Sequence, residues 1–362
     1  MKAAVLHGAD RPVAIEDVRV KDPGVGEVRV ALRAAGLCHS DLSVIDGSIP
    51  FPTPVVLGHE GAGVVEAAGA GVTGVREGDA VVLSTLAHCG RCSACEVGRP
   101  TECRNAPNPR ETRPFTLGNG QPAHQFANTS AFVSHTVVRE QSAIPIDARV
   151  PFECAALIGC GIMTGVGAVL NRARVEVGAS MAVFGLGGIG LSCVQGGVLA
   201  GAARIIAVDV VPAKLELARR LGATDAVDAS QGDPVAAIRD LTRGGADYTF
   251  EAVGNLAVIR QALEALGPGG SLTIVGVPKL GSKLDFVVHA LYQNKAILGC
   301  RYGTARPRRD FPMLADLYLG GRLRIDELIT RRYALDDFST ALEDLKRGSL
   351  ARGVFSLEEG HE

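Results

Sequence analysis

Met181-Ala182-Val183-Phe184-Gly185-Leu186-Gly187-Gly188-Ile189-Gly190 is the stretch whose reading decides the fold. Its first four residues form an apolar run of strand character. The glycines after them are spaced Gly-x-Gly-x-x-Gly, and an uncharged stretch of helix length continues to about Ala200. A strand, a glycine loop and a helix in that order aim backbone N–H groups from a helix N-terminus, where a pyrophosphate is bound. Asp209 follows Gly190 by nineteen residues, at the end of a second strand, Ile205-Ile206-Ala207-Val208. An acid at that place accepts ribose hydroxyls and repels a 2′-phosphate, and no Arg immediately follows it. The reading is therefore NAD rather than NADP. The glycine pattern alone is weak, and the strand, helix and acid around it make it specific.

Outward from this loop, strand and helix alternate from about residue 162. A strand is predicted at 204–208, a helix at 212–221 with Pro212 in its first turn, and further strands at 248–251 and 271–275. Alternation of this kind implies a parallel sheet with helices on both faces. The first 150 residues read differently. Short β-rich runs such as Glu27-Val28-Arg29-Val30-Ala31-Leu32 and Gly63-Val64-Val65-Glu66-Ala67 are punctuated by turns such as Asp22-Pro23-Gly24. That pattern suits a small, irregular, barrel-like β domain. After about Gly299 the alternation fades, and the tail is expected to rejoin the first domain.

The 362 residues suit two domains, and 47% apolar composition fills two cores. A formal charge of −2 without a basic cluster argues against nucleic acid or an anionic membrane as partner. The N-terminus, Met1-Lys2-Ala3-Ala4-Val5-Leu6-His7, lacks the apolar core of a signal peptide. Residues 177–203 are uncharged and long enough to span a bilayer, but they contain eight glycines and the polar Ser180, Ser192 and Gln195. A buried strand and its helix read the same way, so a cytoplasmic enzyme is expected.

Four of the nine cysteines, Cys89, Cys92, Cys95 and Cys103, fall within fifteen residues at steps of three, three and eight. In a cytoplasmic chain such crowding points to metal more than to disulfides. Four thiolates suit a closed tetrahedral zinc site, with an iron–sulfur cluster as the rival. Three other segments carry donors among small residues: Gly36-Leu37-Cys38-His39-Ser40-Asp41, Gly58-His59-Glu60-Gly61 and Ile158-Gly159-Cys160-Gly161. Alone, each has a structural explanation, and spacing cannot show that they converge.

With these segments in this order and at these separations, the chain resembles the zinc-containing medium-chain alcohol dehydrogenase family, within the medium-chain dehydrogenase/reductase superfamily, over nearly its whole length. The resemblance implies an α/β fold made of a GroES-like β-rich catalytic domain and a Rossmann doubly wound parallel-sheet domain. The first would span residues 1–161 and 301–362, with the structural zinc loop at 89–103, and the second residues 162–300. It implies that Cys38, His59 and Cys160 ligate a catalytic zinc whose fourth position is open. Asp41 would fix the His59 ring, Glu60 would lie near the metal, and Ser40 would take the first step of a proton relay. Zinc at an open position lowers the pKa of a bound oxygen to roughly 7, and hydride then passes to the nicotinamide.

For NAD the resemblance adds to Gly185, Gly187, Gly188, Gly190 and Asp209 the residues His39 and Arg352 at the pyrophosphate, Lys214 at the adenosine ribose, and Val277. Thr85, Phe126 and Ala127, together with Val277, would line the substrate channel. Two zinc ions and one NAD per chain are expected. Some relatives end the proton relay in a histidine five residues after the first zinc cysteine. Here that position is Ser43. The remaining histidines, His7, His88, His124, His135, His289 and His361, have no motif support.

The activity implied is reversible oxidation of a primary or aromatic alcohol to its aldehyde. The alternative is a thiol-dependent formaldehyde dehydrogenase acting on an S-hydroxymethyl adduct, for which Arg104, Arg110 and Arg113 would receive carboxylates. A zinc-free quinone or enoyl reductase of the same superfamily, or a non-enzymatic role, fits less well because the Cys38/His59/Cys160 set is complete. The resemblance also implies a homodimer, with a tetramer as the alternative, paired through edge strands at 270–277 and 291–299.

Overall fold

The computed structural model describes residues 1–348 and 350–357; Ser349 and residues 358–362, His361 among them, lie outside it. The chain divides into two compact units, Met1–Cys160 with the chain from Arg306 onward, and Gly161–Ala305.

In the second unit the strand Ser180–Phe184 buries four of its five residues, as an apolar run of strand length does at the centre of a covered sheet. Six strands lie side by side in the order Asp225–Asp228, Arg204–Asp209, Ser180–Phe184, Ala246–Glu251, Leu266–Ile274, Ala296–Gly299, and every pair is parallel. Between them run the helices Gly188–Ala200, Pro212–Arg220, Pro234–Thr242 and Leu256–Glu264. From Ser180–Phe184 the chain first builds outward to one side, then crosses to Ala246–Glu251 on the other. The switch point is thus at the carboxyl ends of these two neighbours, where open α/β sheets bind ligands. One face is packed by Phe184, Val208, Ile238, Ile259, Leu263 and Leu272.

The structure corrects one expectation. Leu266–Ile274 is an interior strand, paired on both sides, and of the two segments expected at an edge it is Ala296–Gly299 that lies there, with Asp225–Asp228 at the opposite edge. The strand expected at 271–275 begins earlier, and Gly267-Pro268-Gly269-Gly270 is part of it. Leu266 pairs with Ala246, and a register shift separates that pair from the next at Tyr248.

The first unit contains a closed barrel of short strands, Lys2–Leu6, Ala14–Val20, Phe115–Leu117, Pro122–Gln125 and Val55–Val56. Beside it is a sheet in which the long strand Glu27–Leu37 pairs with Glu60–Ala68, His135–Arg139 and the C-terminal Arg352–Ser356. The tail therefore returns to the first unit: Gly353 lies opposite Leu37 and Val354 opposite Gly36. Phe132, Phe338 and Phe355 pack at centroid separations of 5.0–5.5 Å to hold it there.

Residues 177–203 are a strand and a 13-residue helix. Among the described residues, the one helical run long and apolar enough to cross a bilayer is Phe152–Ala173, and 83% of it is buried inside the protein.

Candidate active site and metal centres

The four-cysteine loop closes on itself. The Sγ atoms of Cys89, Cys92, Cys95 and Cys103 all lie within 4.8 Å of one another, with Cys92 3.5 Å from Cys95 and 3.8 Å from Cys103. A tetrahedral zinc with bonds of about 2.3 Å holds its sulfurs about 3.8 Å apart, so the donors fit one ion and are too close to enclose a multi-iron cluster. The short helix Ser93–Glu96 begins at Cys92, and the Cys95 and Arg104 backbone N–H groups lower the Cys92 thiol to about 6. Thiolate is thereby favoured where a metal needs it.

The second cluster draws on distant segments of the same unit. Cys38 ends the strand Glu27–Leu37 and caps the helix His39–Ile45. That turn places Asp41 where its Oδ2 accepts from the Cys38 N–H at 3.1 Å and its Oδ1 accepts from His59 Nδ1, also at 3.1 Å. His59 immediately precedes the strand Glu60–Ala68, which Glu60 opens, and Cys160 lies in the π-helical turn Ile158–Ile162, an irregularity frequent at functional sites. Donor atoms of Cys38, His59, Glu60 and Cys160 lie within 4.8 Å of one another.

His59 Nε2 is buried and has no hydrogen-bond partner among the described residues. Buried polar nitrogen is rarely left so, and a lone pair beside two thiols is what a zinc ion takes. With Nδ1 held by Asp41, the tautomer is fixed for metal. The electrostatics agree. A hydrogen bond from Cys160 holds the Cys38 thiol well below its usual range, and the same contact drives Cys160 upward. Burial opposes a charged His59, but Asp41 and Cys38 together raise it well above its ordinary value.

Glu60, fully buried, is pushed up to about 7 by desolvation, tempered by Arg352. Arg352 Nη2 donates to Glu60 Oε2. Arg352, expected near the pyrophosphate, is 5% exposed, and its guanidinium is engaged with Glu60 inside the site. Gly36 makes room for the pair. A Cβ there would run into Glu60 Oε2 and come within 2.8 Å of Leu157.

At the glycine loop a Cβ on Gly190 would collide with the Gly185 carbonyl, so only glycine lets helix and strand approach this closely. A Cβ on Gly187 would meet nothing within 4 Å: this side of the loop is open, as a cradle for phosphate must be. The helix Gly188–Ala200 starts without a side-chain cap. Asp209 Oδ2 accepts from the Leu186 N–H at 2.7 Å, and Oδ1 from Val210 and Val211, which leaves lone pairs for ribose hydroxyls. Lys214, half-buried, is in the first turn of Pro212–Arg220. His39 is exposed at the start of its helix, and Val277 is 76% exposed beyond the strand Leu266–Ile274.

Two family descriptions match the chain: an alcohol dehydrogenase GroES-like domain at residues 24–148 and a zinc-binding dehydrogenase at residues 188–319. An alcohol dehydrogenase class-3 of Oryza sativa is 38% identical over 99% of this chain and 97% of its own length. A Schizosaccharomyces pombe protein named "Probable S-(hydroxymethyl)glutathione dehydrogenase 1" is 37% identical over the same shares. The chain belongs to the zinc-containing medium-chain alcohol dehydrogenase family.

As a member of that family it is an oxidoreductase acting on CH–OH groups, with zinc and NAD as cofactors. Its fold is that of solved family members. An alcohol dehydrogenase zinc-binding domain protein from Burkholderia ambifaria superposes with a TM-score of 0.95 at 40% identity. The benzyl alcohol dehydrogenase of Acinetobacter calcoaceticus does so at 0.93 and 35%, each covering 99% of both chains.

In this dehydrogenase Phe126 stands edge-on to the His59 ring at 5.5 Å, and Phe51 stands edge-on to Phe126 at 5.3 Å. The turn that carries Phe126 is held in unusual backbone: Ala127, Asn128 and Ser130 all have φ between 48° and 63°. Ser130 Oγ accepts from the Phe126 N–H and donates to the Val56 carbonyl, and Asn128 Nδ2 donates to the Thr85 carbonyl at 3.0 Å. Thr85 and Ala127 are half-buried. Phe51 and Asn128 were not singled out by sequence reasoning. An aromatic residue between Pro50 and Pro52, in a chain only 4% aromatic, was the available signal. Arg104, Arg110 and Arg113 are exposed, and Arg110 donates to the Pro50 carbonyl at 3.1 Å.

Proposed function

We propose that this enzyme oxidises a primary or aromatic alcohol reversibly to the aldehyde with NAD. Cys38, His59 and Cys160 hold the catalytic zinc, and Cys89, Cys92, Cys95 and Cys103 a structural one. The observation that carries the reading is the unpartnered, buried His59 Nε2 between two sulfurs, with the neighbouring Glu60 turned onto Arg352. When bound, zinc supplies a Lewis acid to the substrate oxygen and NAD accepts the hydride.

The chain's own residues do the rest. Asp41 fixes the His59 ring. Arg352 holds the Glu60 carboxylate through its Oε2, beside the donors that would bind the zinc. Ser40, half-buried with its Oγ 4.0 Å from Cys38 Sγ, takes the first proton. Ser43, one turn further along the same helix, cannot serve as a base near neutral pH, so water takes the proton from the relay. Phe126 and Phe51, with Thr85 and Ala127, form an apolar wall suited to an aryl group, in keeping with the benzyl alcohol dehydrogenase likeness. Gly185, Gly187, Gly188, Gly190, Asp209 and Lys214 hold NAD, with His39 and Val277 contributing contacts to it. Residues 1–161 and 301–362 act as the catalytic domain and 162–300 as the cofactor domain. The enzyme works in the cytoplasm as a homodimer joined through the edge strand Ala296–Gly299.

A second reading is favoured by the exposed Arg110 beside Phe51 and by the name of the S. pombe relative: oxidation of an S-hydroxymethyl thiol adduct whose carboxylates the arginines would receive. An NADH-absorbance screen of alcohols, with and without low-molecular-weight thiols, decides. Turnover of benzylic alcohols without thiol is expected, whereas turnover of formaldehyde only with thiol would replace the first reading by the second.

A further inference from the structure

At the switch point of the parallel sheet stands a buried carboxylate to which nothing above gives a task. Glu251 ends the strand Ala246–Glu251, and the register sets it opposite Phe184, the residue before the glycine loop. It is fully buried. Its Oε1 accepts from the backbone N–H groups of Val253 at 2.9 Å, Gly254 at 2.7 Å and Asn255 at 3.4 Å. Its backbone carbonyl accepts from Val275 and Gly276, each at 2.8 Å. One residue thus gathers five N–H groups from two segments that leave the carboxyl ends of neighbouring strands.

Those segments face the cofactor loop. The Ala252 N–H donates to the Phe184 carbonyl at 2.9 Å, and a Cβ placed on Gly185 would run into the Val253 side chain. Residues 253–255 therefore form a wall in contact with the glycine loop, while 275–276 lead directly into Val277. Burying an acid at the end of an apolar sheet costs several kcal/mol unless its oxygens are bound. A carboxylate used only to finish the strand would be a costly choice, and here its Oε1 organises the 253–255 turn at the place where α/β sheets take their ligand.

We propose that Glu251 is a positioning residue for the dinucleotide: by gathering residues 253–255 with its carboxylate, beside the 275–276 segment that its backbone carbonyl holds, it sets the wall of the cofactor crevice opposite the glycine loop. This rests on the NAD reading. Glu251 does not touch the reacting atoms, and its effect is on cofactor affinity. Its Oε2 has no partner among the described residues, so the clamp needs the acceptor Oε1 and not the second oxygen. Glutamine keeps that acceptor.

The test uses the zinc-loaded full chain as wild type, E251A, E251D and E251Q. The readouts are NADH dissociation constants by fluorescence titration, KM for NAD against kcat, and hydrogen exchange of the 253–255 amides without cofactor. E251A is expected to bind NADH about tenfold more weakly, since bonds to a charged acceptor are lost, and to raise KM for NAD with a smaller change in kcat. Its 253–255 amides should exchange faster. E251Q should restore affinity to within about threefold, as neutral acceptors lose only part of such a bond. E251D, whose carboxylate is drawn back by one methylene, should fall between and serves if E251A does not fold.

NADH affinity at the wild-type level in E251A, or in E251D where E251A does not fold, would overturn the proposal, as would a loss that glutamine fails to recover. If the wild type itself binds no NADH, the NAD reading fails, and the exchange rates still decide whether the Glu251 side chain clamps residues 253–255.

Discussion

The Glu60–Arg352 pair gives the sharpest energetic test of the catalytic site. Both side chains are sealed from water, at 0% and 5% exposure, and Gly36 has no side chain that could replace either partner's contacts. Arg352→Met leaves Glu60 without the cation that hydrogen-bonds it; Oε1 already has no partner among the described residues. Removing one member of a buried ion pair costs about 3–5 kcal/mol, because an uncompensated charge stays behind. Glu60→Gln strands Arg352 in the same way, at a similar cost. Were the effects independent, the double variant would lose about 6–10 kcal/mol. In the double variant neither charge is left behind, and such replacements are often neutral.

The coupling expected from the cycle is therefore at least about 3 kcal/mol. Urea unfolding of the zinc-loaded protein, followed by far-UV circular dichroism, measures it. Alcohol oxidation should fall in Arg352→Met beyond what stability explains, because the Glu60 carboxyl would no longer be held beside the Cys38, His59 and Cys160 donors that would bind the zinc. Additivity within about 0.5 kcal/mol would refute the reasoning, since residues that truly share a buried contact do not add.

Asp209→Ala should weaken NAD by about ten- to a hundredfold, as charge-assisted bonds to ribose are lost, while NADP loses less; the ratio of kcat/KM for the two cofactors reports it. Ser43→His supplies a base with an ordinary pKa near 6.5, so the pH profile of alcohol oxidation should gain a limb about there. An unchanged profile would mean that Ser43 does not occupy the end of the relay.

What could be read from residue order alone was what is local. The Cys89–Cys103 sulfurs meet because three-residue steps return the chain to one point, and the Gly185–Gly190 loop is a single turn between a strand and a helix. Cys38, His59 and Cys160 are brought together only by the pairing of Glu27–Leu37 with Glu60–Ala68 and by a helix far along the chain, so family resemblance rather than spacing had to join them. That Arg352 lies against Glu60 could not be read from residue order. The antiparallel return of Arg352–Ser356 beside Gly36 is a long-range event with no local signature. The strand expected at 271–275 was read too short, because its start at Leu266 is set by pairing with Ala246 across a register shift. Glu251 was passed over because one acid at the end of a strand is ordinary. Its meaning lies in five backbone donors that only the folded sheet assembles.

The central claim is that two chemically distinct zinc centres share this chain and that only one performs the reaction. Metal content per chain, measured by plasma mass spectrometry on the wild type and on Cys160→Ser, tests it most directly. Two zinc ions are expected in the wild type. Cys160→Ser should retain one, lose alcohol oxidation and still bind NADH. One zinc in the wild type, or undiminished oxidation by Cys160→Ser, would contradict it.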